Sequence, residues 1–143
     1  PIPRERLADL FWEDMLESQG RTNLSWVLRR ISSRLPDCLQ ADRHTVQFHC
    51  SDNYWLDVHA FEELEARGDL TSLAEAAALY RGEFLEGLAL EGCAEFELWL
   101  AGERERWRQR VAGVLWELAT RHSGRGEYEA GLRHARELLA LEP

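Results

Sequence analysis

Four arginines occur between Ser18 and Pro36, a stretch of 19 residues that contains no acidic residue. The arginine guanidinium is planar and always charged, and it can donate two parallel hydrogen bonds to a phosphate or to a guanine edge. Because a polyanion responds to charge within about one Debye length, a local basic stripe can attract it even in an acidic protein. The stretch is therefore a candidate nucleic-acid contact, through Arg21, Arg29, Arg30 and Arg34.

The charge of the whole chain is unevenly distributed. The 143 residues carry a net charge of −9, which by itself argues against a nucleic-acid partner. Residues 1–50 contain seven arginines and seven acidic residues, whereas residues 51–143 contain ten arginines and 19 acidic residues. The N-terminal part is thus neutral with a basic stretch inside it, while the acidic remainder is better suited to a protein partner than to DNA.

The arginines fall largely on one side of a helix that the spacing predicts over residues 21–35. After a predicted break at Ser18-Gln19-Gly20, Thr22 or Asn23 can cap this helix, and Pro36 ends it. At about 100° per residue the apolar positions form one narrow stripe, Leu24, Val27, Leu28, Ile31 and Leu35. The opposite face carries Thr22, Trp26, Arg29, Arg30 and Ser33. An exposed Trp there could contact sugars or thymine methyl groups, or pack against a neighbouring helix.

A short β-hairpin is predicted after the helix. Alternation of apolar and polar residues over Thr45–Cys50 is typical of a half-buried strand, and Cys38–Ala41 is a plausible antiparallel partner. The tip of the hairpin contains Arg43 and His44, which would contact phosphate or the minor groove; the alternative is an ordinary polar turn. Tyr54–Leu56 is predicted to add one more brief strand.

Metal and catalytic chemistry receive little support from the sequence. Zinc has suitable ligand atoms in Cys38, His44, His49 and Cys50, but adjacent residues of a strand point to opposite faces. No phosphate-binding glycine loop, nucleophile motif or metal-binding motif occurs. We therefore expect no metal, no cofactor and no enzymatic activity. Three irregularly spaced cysteines indicate a reducing compartment, with the cytoplasm as the default, and no apolar run is long enough to span a membrane.

From Asp57 onward the sequence predicts helices separated by glycines. One ends at Gly68, the next near Gly82, a long one covers about residues 94–122, and a last one covers residues 128–141. The final segment matches a 34-residue helix–turn–helix repeat of the tetratricopeptide kind, through Leu115, Leu118, Ala119, Gly126, Tyr128, Ala135, Leu138 and Pro143. Because at least three such units are normally needed for stability, we expect the array to continue in a longer protein.

Three blocks of sequence resemble a known bacterial family: Leu79-Tyr-Arg-Gly-Glu-Phe-Leu-Glu-Gly-Leu88, Phe96-Glu-Leu-Trp-Leu100 and Glu103-Arg-Glu-Arg106. They are similar to the bacterial transcriptional activator domain, the tetratricopeptide-like helical module of the Streptomyces-type antibiotic regulatory protein family. In that family the module follows a winged-helix DNA-binding domain of the response-regulator type. Residues 4–12 and 24–35 resemble the second half of that winged helix, and residues 57–61 resemble its junction with the helical module.

The resemblance implies a mainly α protein in two domains. Residues 1–56 would form a partial winged helix with its short β-hairpin, and residues 57–143 would form tetratricopeptide-like antiparallel helices. Residues 21–35 would be the recognition helix, with DNA-contacting positions at Arg21, Trp26, Arg29 and Arg30 and with Arg43 and His44 in the wing. Together with the polar face described above, the predicted DNA-contacting set is Arg21, Thr22, Trp26, Arg29, Arg30, Ser33, Arg34, Arg43 and His44.

We therefore expect a fragment of a transcription regulator with double-stranded DNA as one partner. Its acidic helical half would bind RNA polymerase, another regulator domain or a second copy of the chain. The alternative is a pure protein-interaction or oligomerisation module of a larger regulator, in which the winged-helix part is only a structural adaptor. The face with Trp26, Arg29 and Arg30 discriminates between them, because exposure supports DNA contact and cover by another helix supports the alternative.

Overall fold

The computed structural model of the chain describes residues 1–36, 38–48 and 54–141. These residues are mainly α-helical, with six helices and a small three-stranded antiparallel sheet near the N-terminus, which confirms the predicted class at this level. The helices are α1 (Arg4–Trp12), α2 (Glu17–Arg34), α3 (Asp57–Arg67), α4 (Leu70–Leu79), α5 (Ala94–Gly124) and α6 (Tyr128–Leu141). The strands are β1 (Ile2–Pro3), β2 (Leu39–Ala41) and β3 (Thr45–Phe48). None of the helices in these ranges is both long and apolar enough to cross a lipid bilayer.

The chain divides into two compact units, each with its own apolar core. The first unit consists of residues 1–54 and 89–100, and the second consists of residues 55–88 and 101–143. Helix α5 therefore contributes residues 94–100 to the first unit and residues 101–124 to the second.

The sheet of the first unit has the strand order β1-β3-β2. Ala41 of β2 lies opposite Val46 of β3, and Leu39 lies opposite Phe48, so the predicted hairpin is confirmed for the residues that the structure describes. Ile2 of β1 lies opposite Val46 on the other edge of β3. The sequence pattern does not predict β1, because two residues are too few to show a period.

The predicted brief strand at Tyr54–Leu56 is wrong. These residues form no strand, and the carbonyl oxygen of Leu56 accepts a hydrogen bond from the N–H of Ala60 at 2.9 Å, so the backbone of Leu56 belongs to the start of α3. A run of three large apolar residues is too short a signal to outweigh the helix that follows. His49 and Cys50, which end the other predicted strand, lie outside the described residues.

Helix α2 begins four residues earlier than predicted, at Glu17, and continues through Gly20. The predicted break at Ser18-Gln19-Gly20 and the predicted cap at Thr22 or Asn23 are therefore wrong. Gly20 is buried, and a Cβ added there would lie 3.6 Å from the Cβ atoms of Ala8 and Trp12 in α1. A helix-interior glycine costs about 1 kcal/mol relative to alanine, but here it allows two helices to approach closely.

The core of the first unit is small. Leu24, Leu28 and Val46 are buried, and the partly buried residues Leu7, Trp12 and Leu39 pack against them. The predicted apolar stripe of α2 is correct for Leu24 and Leu28, but Ile31 is 37% exposed and Leu35 is 50% exposed. The stripe was expected to be covered along its whole length; the residues of this core reach only its first half.

The second unit has the larger core, with the buried residues Phe61, Leu73, Ala76, Trp107, Val111, Val114, Leu115 and Leu118. Helix α3 ends as predicted at Gly68, which has φ 68° and donates its N–H to the carbonyl oxygen of Leu64. Asp69 then caps α4, because its carboxylate accepts hydrogen bonds from the N–H groups of Thr71 and Ser72. Together these two caps form the tight turn between α3 and α4.

Helices α5 and α6 approach each other closely. Gly131 is buried in α6, and a Cβ added there would lie 3.1 Å from the carbonyl oxygen of Ala119 and 2.6 Å from the Oγ of Ser123. The guanidinium of Arg108 donates to the carbonyl oxygen of Leu141 at 3.4 Å. Because the start of α6 contacts a late part of α5 and its end contacts an earlier part, the two helices run antiparallel.

Replacing Gly131 with alanine is expected to lower the free energy of unfolding by about 1–3 kcal/mol, because the new methyl group would press on a backbone oxygen. Gly113→Ala is the matched control, since Gly113 is exposed in α5 and a Cβ there meets nothing within 4 Å. That control should raise the free energy of unfolding by up to about 1 kcal/mol through helix propensity alone. Urea unfolding followed by circular dichroism measures both, and a stabilising Gly131→Ala would contradict the close approach.

Candidate nucleic-acid interface

The orientation of α2 follows from its buried side. Leu24 and Leu28 lie one helical turn apart and are fixed in the core of the first unit beside Val46 of β3. Since successive helical residues rotate by about 100°, burial of these two leucines turns Trp26 and Ser33 to the opposite side. The buried leucines therefore determine which side of α2 faces solvent.

Trp26 and two arginines occupy this exposed side. Trp26 is 59% exposed, and the guanidinium carbon of Arg30 lies 4.9 Å from the centre of the Trp26 ring. A cation over an indole face is attracted by the ring quadrupole, so each side chain restricts the other. Arg29 is also exposed beside them. Side chains of this kind remain available to a partner while losing little freedom on binding.

The arginines of the predicted site differ in their charge partners. Arg29, Arg30, Arg34 and Arg43 are exposed, and within the described ranges no carboxylate lies within 4.0 Å of any of them. Arg21 is exposed but pairs with Glu5 of α1 and with Glu17 of α2, the latter at 2.8 Å. The charge of Arg21 is therefore balanced locally, whereas the other four present a positive surface.

The two hydroxyl residues of the predicted site bond to their own helix. Thr22 Oγ1 donates to the carbonyl oxygen of Ser18 at 2.8 Å, and Ser33 Oγ donates to the carbonyl oxygen of Arg30 at 2.8 Å. Their hydroxyl protons are thus occupied, while their oxygens still have acceptor capacity. Both residues are exposed and small, so they leave the backbone of α2 accessible to a flat or grooved surface.

The turn that carries Arg43 and His44 is tightly organised by one carboxylate. Asp42 Oδ1 accepts hydrogen bonds from the backbone N–H groups of His44 and Thr45, each at 2.7 Å. These hydrogen bonds, first from His44 and then from Thr45, hold the pKa of the Asp42 carboxyl below its ordinary value of 3.8. Arg43 and His44 are both exposed at this turn, so it presents a guanidinium and an imidazole on a fixed backbone.

Arg4 connects the turn to α2, and sequence reasoning missed it. Its Nη2 donates to Ser25 Oγ of α2 at 2.7 Å, and its Nη1 donates to the carbonyl oxygen of Asp42 at 3.3 Å. Its backbone N–H also donates to the carbonyl oxygen of His44 at 2.8 Å. These contacts span up to 40 residues, from Arg4 to His44, so no local pattern in the sequence could have indicated them.

No group of three or more metal-ligating side chains comes together in the parts of the chain that the structure describes. Cys38 is a free, half-buried thiol, and His44 is exposed at the turn. The other two residues considered as zinc ligands, His49 and Cys50, are not among the described residues.

Comparison with known proteins adds nothing to this geometry: no protein-family model, no curated protein and no solved structure matches the chain.

The turn at Asp42 is expected to depend on pH. Because the folded pKa of Asp42 is lowered, its hydrogen bonds are fully present above pH 3.8 and are lost as the pH falls through the lowered value. NMR titration of the backbone amides of His44 and Thr45 should therefore show a shared midpoint below 3.8. Asp42→Ala should abolish that titration and Asp9→Ala, an exposed position on α1, should leave it unchanged. A midpoint at or above 3.8 would contradict the described turn.

Proposed function

We propose that this chain is part of a DNA-binding transcription regulator, in which α2 is the recognition helix of a partial winged helix and the turn between β2 and β3 is its wing. The proposal rests on one observation: α2 exposes Arg29 and Arg30, without a carboxylate partner among the described residues, on the side away from Leu24 and Leu28. A helix anchored by one side and positively charged on the other suits the major groove of DNA.

Each exposed side chain then has a distinct part in binding. Arg29 would donate to a phosphate or to a guanine edge, and Arg30, held over Trp26, would do so from a restricted position. Trp26 itself would contact sugars or thymine methyl groups. Arg34 near the end of α2 and the turn with Arg43 and His44 would contact phosphates, which position a protein on DNA without reading its sequence.

Arg21 contributes less in this proposal than the other arginines. Its guanidinium would have to leave Glu5 and Glu17 in order to reach a phosphate, and those exposed ion pairs are individually weak. Thr22 and Ser33 serve by being small, since they allow the helix backbone to come close to the duplex. The proposed DNA-contacting set therefore remains the one predicted from the sequence, with Arg4 added as a positioning residue for the turn.

The helical part is proposed to bind protein. Its composition is acidic, which disfavours DNA, and the antiparallel pair α5–α6 with the buried Gly131 supports a tetratricopeptide-like arrangement. In the two-domain reading, residues 1–56 dock on DNA and residues 57–143 bind RNA polymerase, another regulator domain or a second copy of the chain. No catalysis and no cofactor are proposed, and the cytoplasm is the proposed location.

One observation favours the alternative of a pure protein-interaction module. Trp26 is exposed on one side of α2, and Ile31 and the following Leu35 are exposed on the other. Large exposed apolar side chains also characterise protein-binding surfaces. In that case the arginines beside Trp26 would pair with acidic residues of the partner instead of phosphates.

The double substitution Arg29→Ala, Arg30→Ala is expected to weaken DNA binding by at least about tenfold, because it removes two proposed contacts at the centre of the recognition helix. The measurement is a mobility shift with duplexes that the wild-type protein selects from a random library. The matched control is Arg133→Ala, Arg136→Ala, which removes the same charge from exposed positions of α6. Equal loss in both variants would mean that only net charge matters, and no loss in either would contradict the recognition-helix assignment.

Binding of the selected duplex is also expected to depend steeply on salt. With about four to six phosphate contacts, the logarithm of affinity should fall against the logarithm of salt concentration with a slope near about −4 to −5, since each contact releases counterions. Fluorescence anisotropy of a labelled duplex over a salt series measures this slope. A slope near zero would contradict docking on phosphates and would favour the protein-interaction alternative.

A further inference from the structure

The second unit contains a cavity of about 380 Å³ between α3, the segment that follows α4, and α5. The volume lies within the range of pockets that bind small organic molecules. Five aromatic residues line it, Trp55, Phe61, Tyr80, Phe84 and Trp107, of which Phe61 and Trp107 are buried. The DNA-binding proposal uses none of these residues.

The wall formed by the segment after α4 is held in place by one arginine of α5. Arg104 Nε donates to the carbonyl oxygen of Phe84 at 3.0 Å, and its Nη2 donates to the carbonyl oxygens of Leu85 and Leu88 at 3.0 and 3.4 Å. Glu83 lies 3.6 Å from the same guanidinium. Because Leu85 has a φ of 50°, a conformation that non-glycine residues rarely adopt, these bonds also hold the backbone in an unusual shape. The cavity is therefore largely preformed.

The aromatic rings of the cavity pack on one another. Phe61 meets Trp107 edge-on, with 5.6 Å between ring centres, and Phe84 stacks on Trp107 with 6.3 Å between ring centres. Trp107 and Phe61 already accept a cation, because the guanidinium of Arg110 lies 4.6 Å and 5.4 Å from their ring centres. Arg110 does not line the cavity, but it already occupies these two rings, so cation–π attraction inside the cavity falls to Trp55, Tyr80 and Phe84.

The charged residues of the lining are mostly negative. Three carboxylates, Asp57, Glu83 and Glu86, and one guanidinium, Arg81, line the cavity. The carboxylate of Glu86 lies against Gly82 in the space that a Cβ would fill, so the glycine gives that carboxylate its position. Arg104 pairs with Glu83, so three carboxylates face two guanidiniums at this wall and the balance of charge is slightly negative, which favours a cation there.

Tyr80 lines the same part of the cavity. Its pKa is raised, first by partial burial and then by the charge of Glu83, with a smaller effect of the same sign from Glu86 and an opposing one from Arg108.

We propose that this cavity binds a small organic cation, an amine or quaternary ammonium carried on a ring that fills the aromatic part. The rings supply apolar contact and cation–π attraction, and the acidic side supplies charge complementarity. The site would give the helical part a ligand-binding role of its own. It does not depend on contact between α2 and DNA.

The test uses three probes with the same naphthalene ring and different charge: 1-naphthylmethylamine, 1-naphthalenemethanol and 1-naphthaleneacetate. Isothermal titration calorimetry of the whole chain at neutral pH should give the tightest binding for the amine, about tenfold tighter than for the neutral alcohol. The acetate should bind more weakly than the alcohol. Equal affinity of all three, tighter binding of the acetate, or no binding of the amine would overturn the proposal.

Two sets of variants locate the binding site. Glu83→Gln, Glu86→Gln should reduce the affinity for the amine to about that of the alcohol, while the alcohol itself binds as before. The matched control is Glu63→Gln, Glu75→Gln, which neutralises two exposed carboxylates of the same unit that do not line the cavity. If the control loses as much affinity as the cavity variant, or if neither loses any, the proposed site is wrong.

Val58→Phe provides an independent check, because it places a larger side chain in the cavity wall. It should weaken all three probes together, and circular dichroism shows whether the variant is folded. Unchanged binding of the amine to folded Val58→Phe would place the probe elsewhere and overturn the proposal. If that variant does not fold, the two pairs of glutamine variants decide.

Discussion

Leu24 and Leu28 are buried against Val46, and every other property of the proposed interface depends on this contact. A helix has a fixed rotation per residue, so once these two leucines are inside, Trp26 and Ser33 must lie on the outside. If α2 were rotated by one residue, the arginines would turn toward the core, where an unpaired charge is very costly. Burial of two apolar side chains therefore determines that the polar face of α2 points toward solvent, although the two leucines do not contact that face.

Six arginines of the chain fall into two groups, one that stabilises the fold and one that is a candidate for binding. Arg4, Arg21, Arg104 and Arg110 are engaged by carbonyl oxygens or carboxylates and hold elements of their own unit in place. Arg29 and Arg30 have no such partner among the described residues, and this difference makes them candidates for binding. An arginine thus stabilises the fold where a hydrogen-bond acceptor is near, and it is available for recognition of a partner where no acceptor is near.

Sequence periodicity predicted the helices well and their ends less well. The boundary at Gly68 was correct because a glycine in the left-handed conformation is a strong local signal for the end of a helix. The start of α2 was wrong because Gly20 looks like a helix breaker, whereas in the fold it is a place where α1 and α2 approach. At Gly131 the neighbours in space are Ala119 and Ser123 of α5, and the sequence alone could not name them.

For the candidate site, the sequence by itself determined the composition of the α2 face and which of its residues share a side, because those follow from residue types and from the helical period. It also located the hairpin turn, through a local alternation of residues. Only the tertiary structure decided that Arg21 is paired, that Arg4 joins Ser25 to Asp42, and that five aromatic residues from distant segments line one cavity. The physical reason is the range of the interactions. Periodicity and turn signals act over a few residues, whereas ion pairs and cavities join groups that are near each other only after the chain has folded.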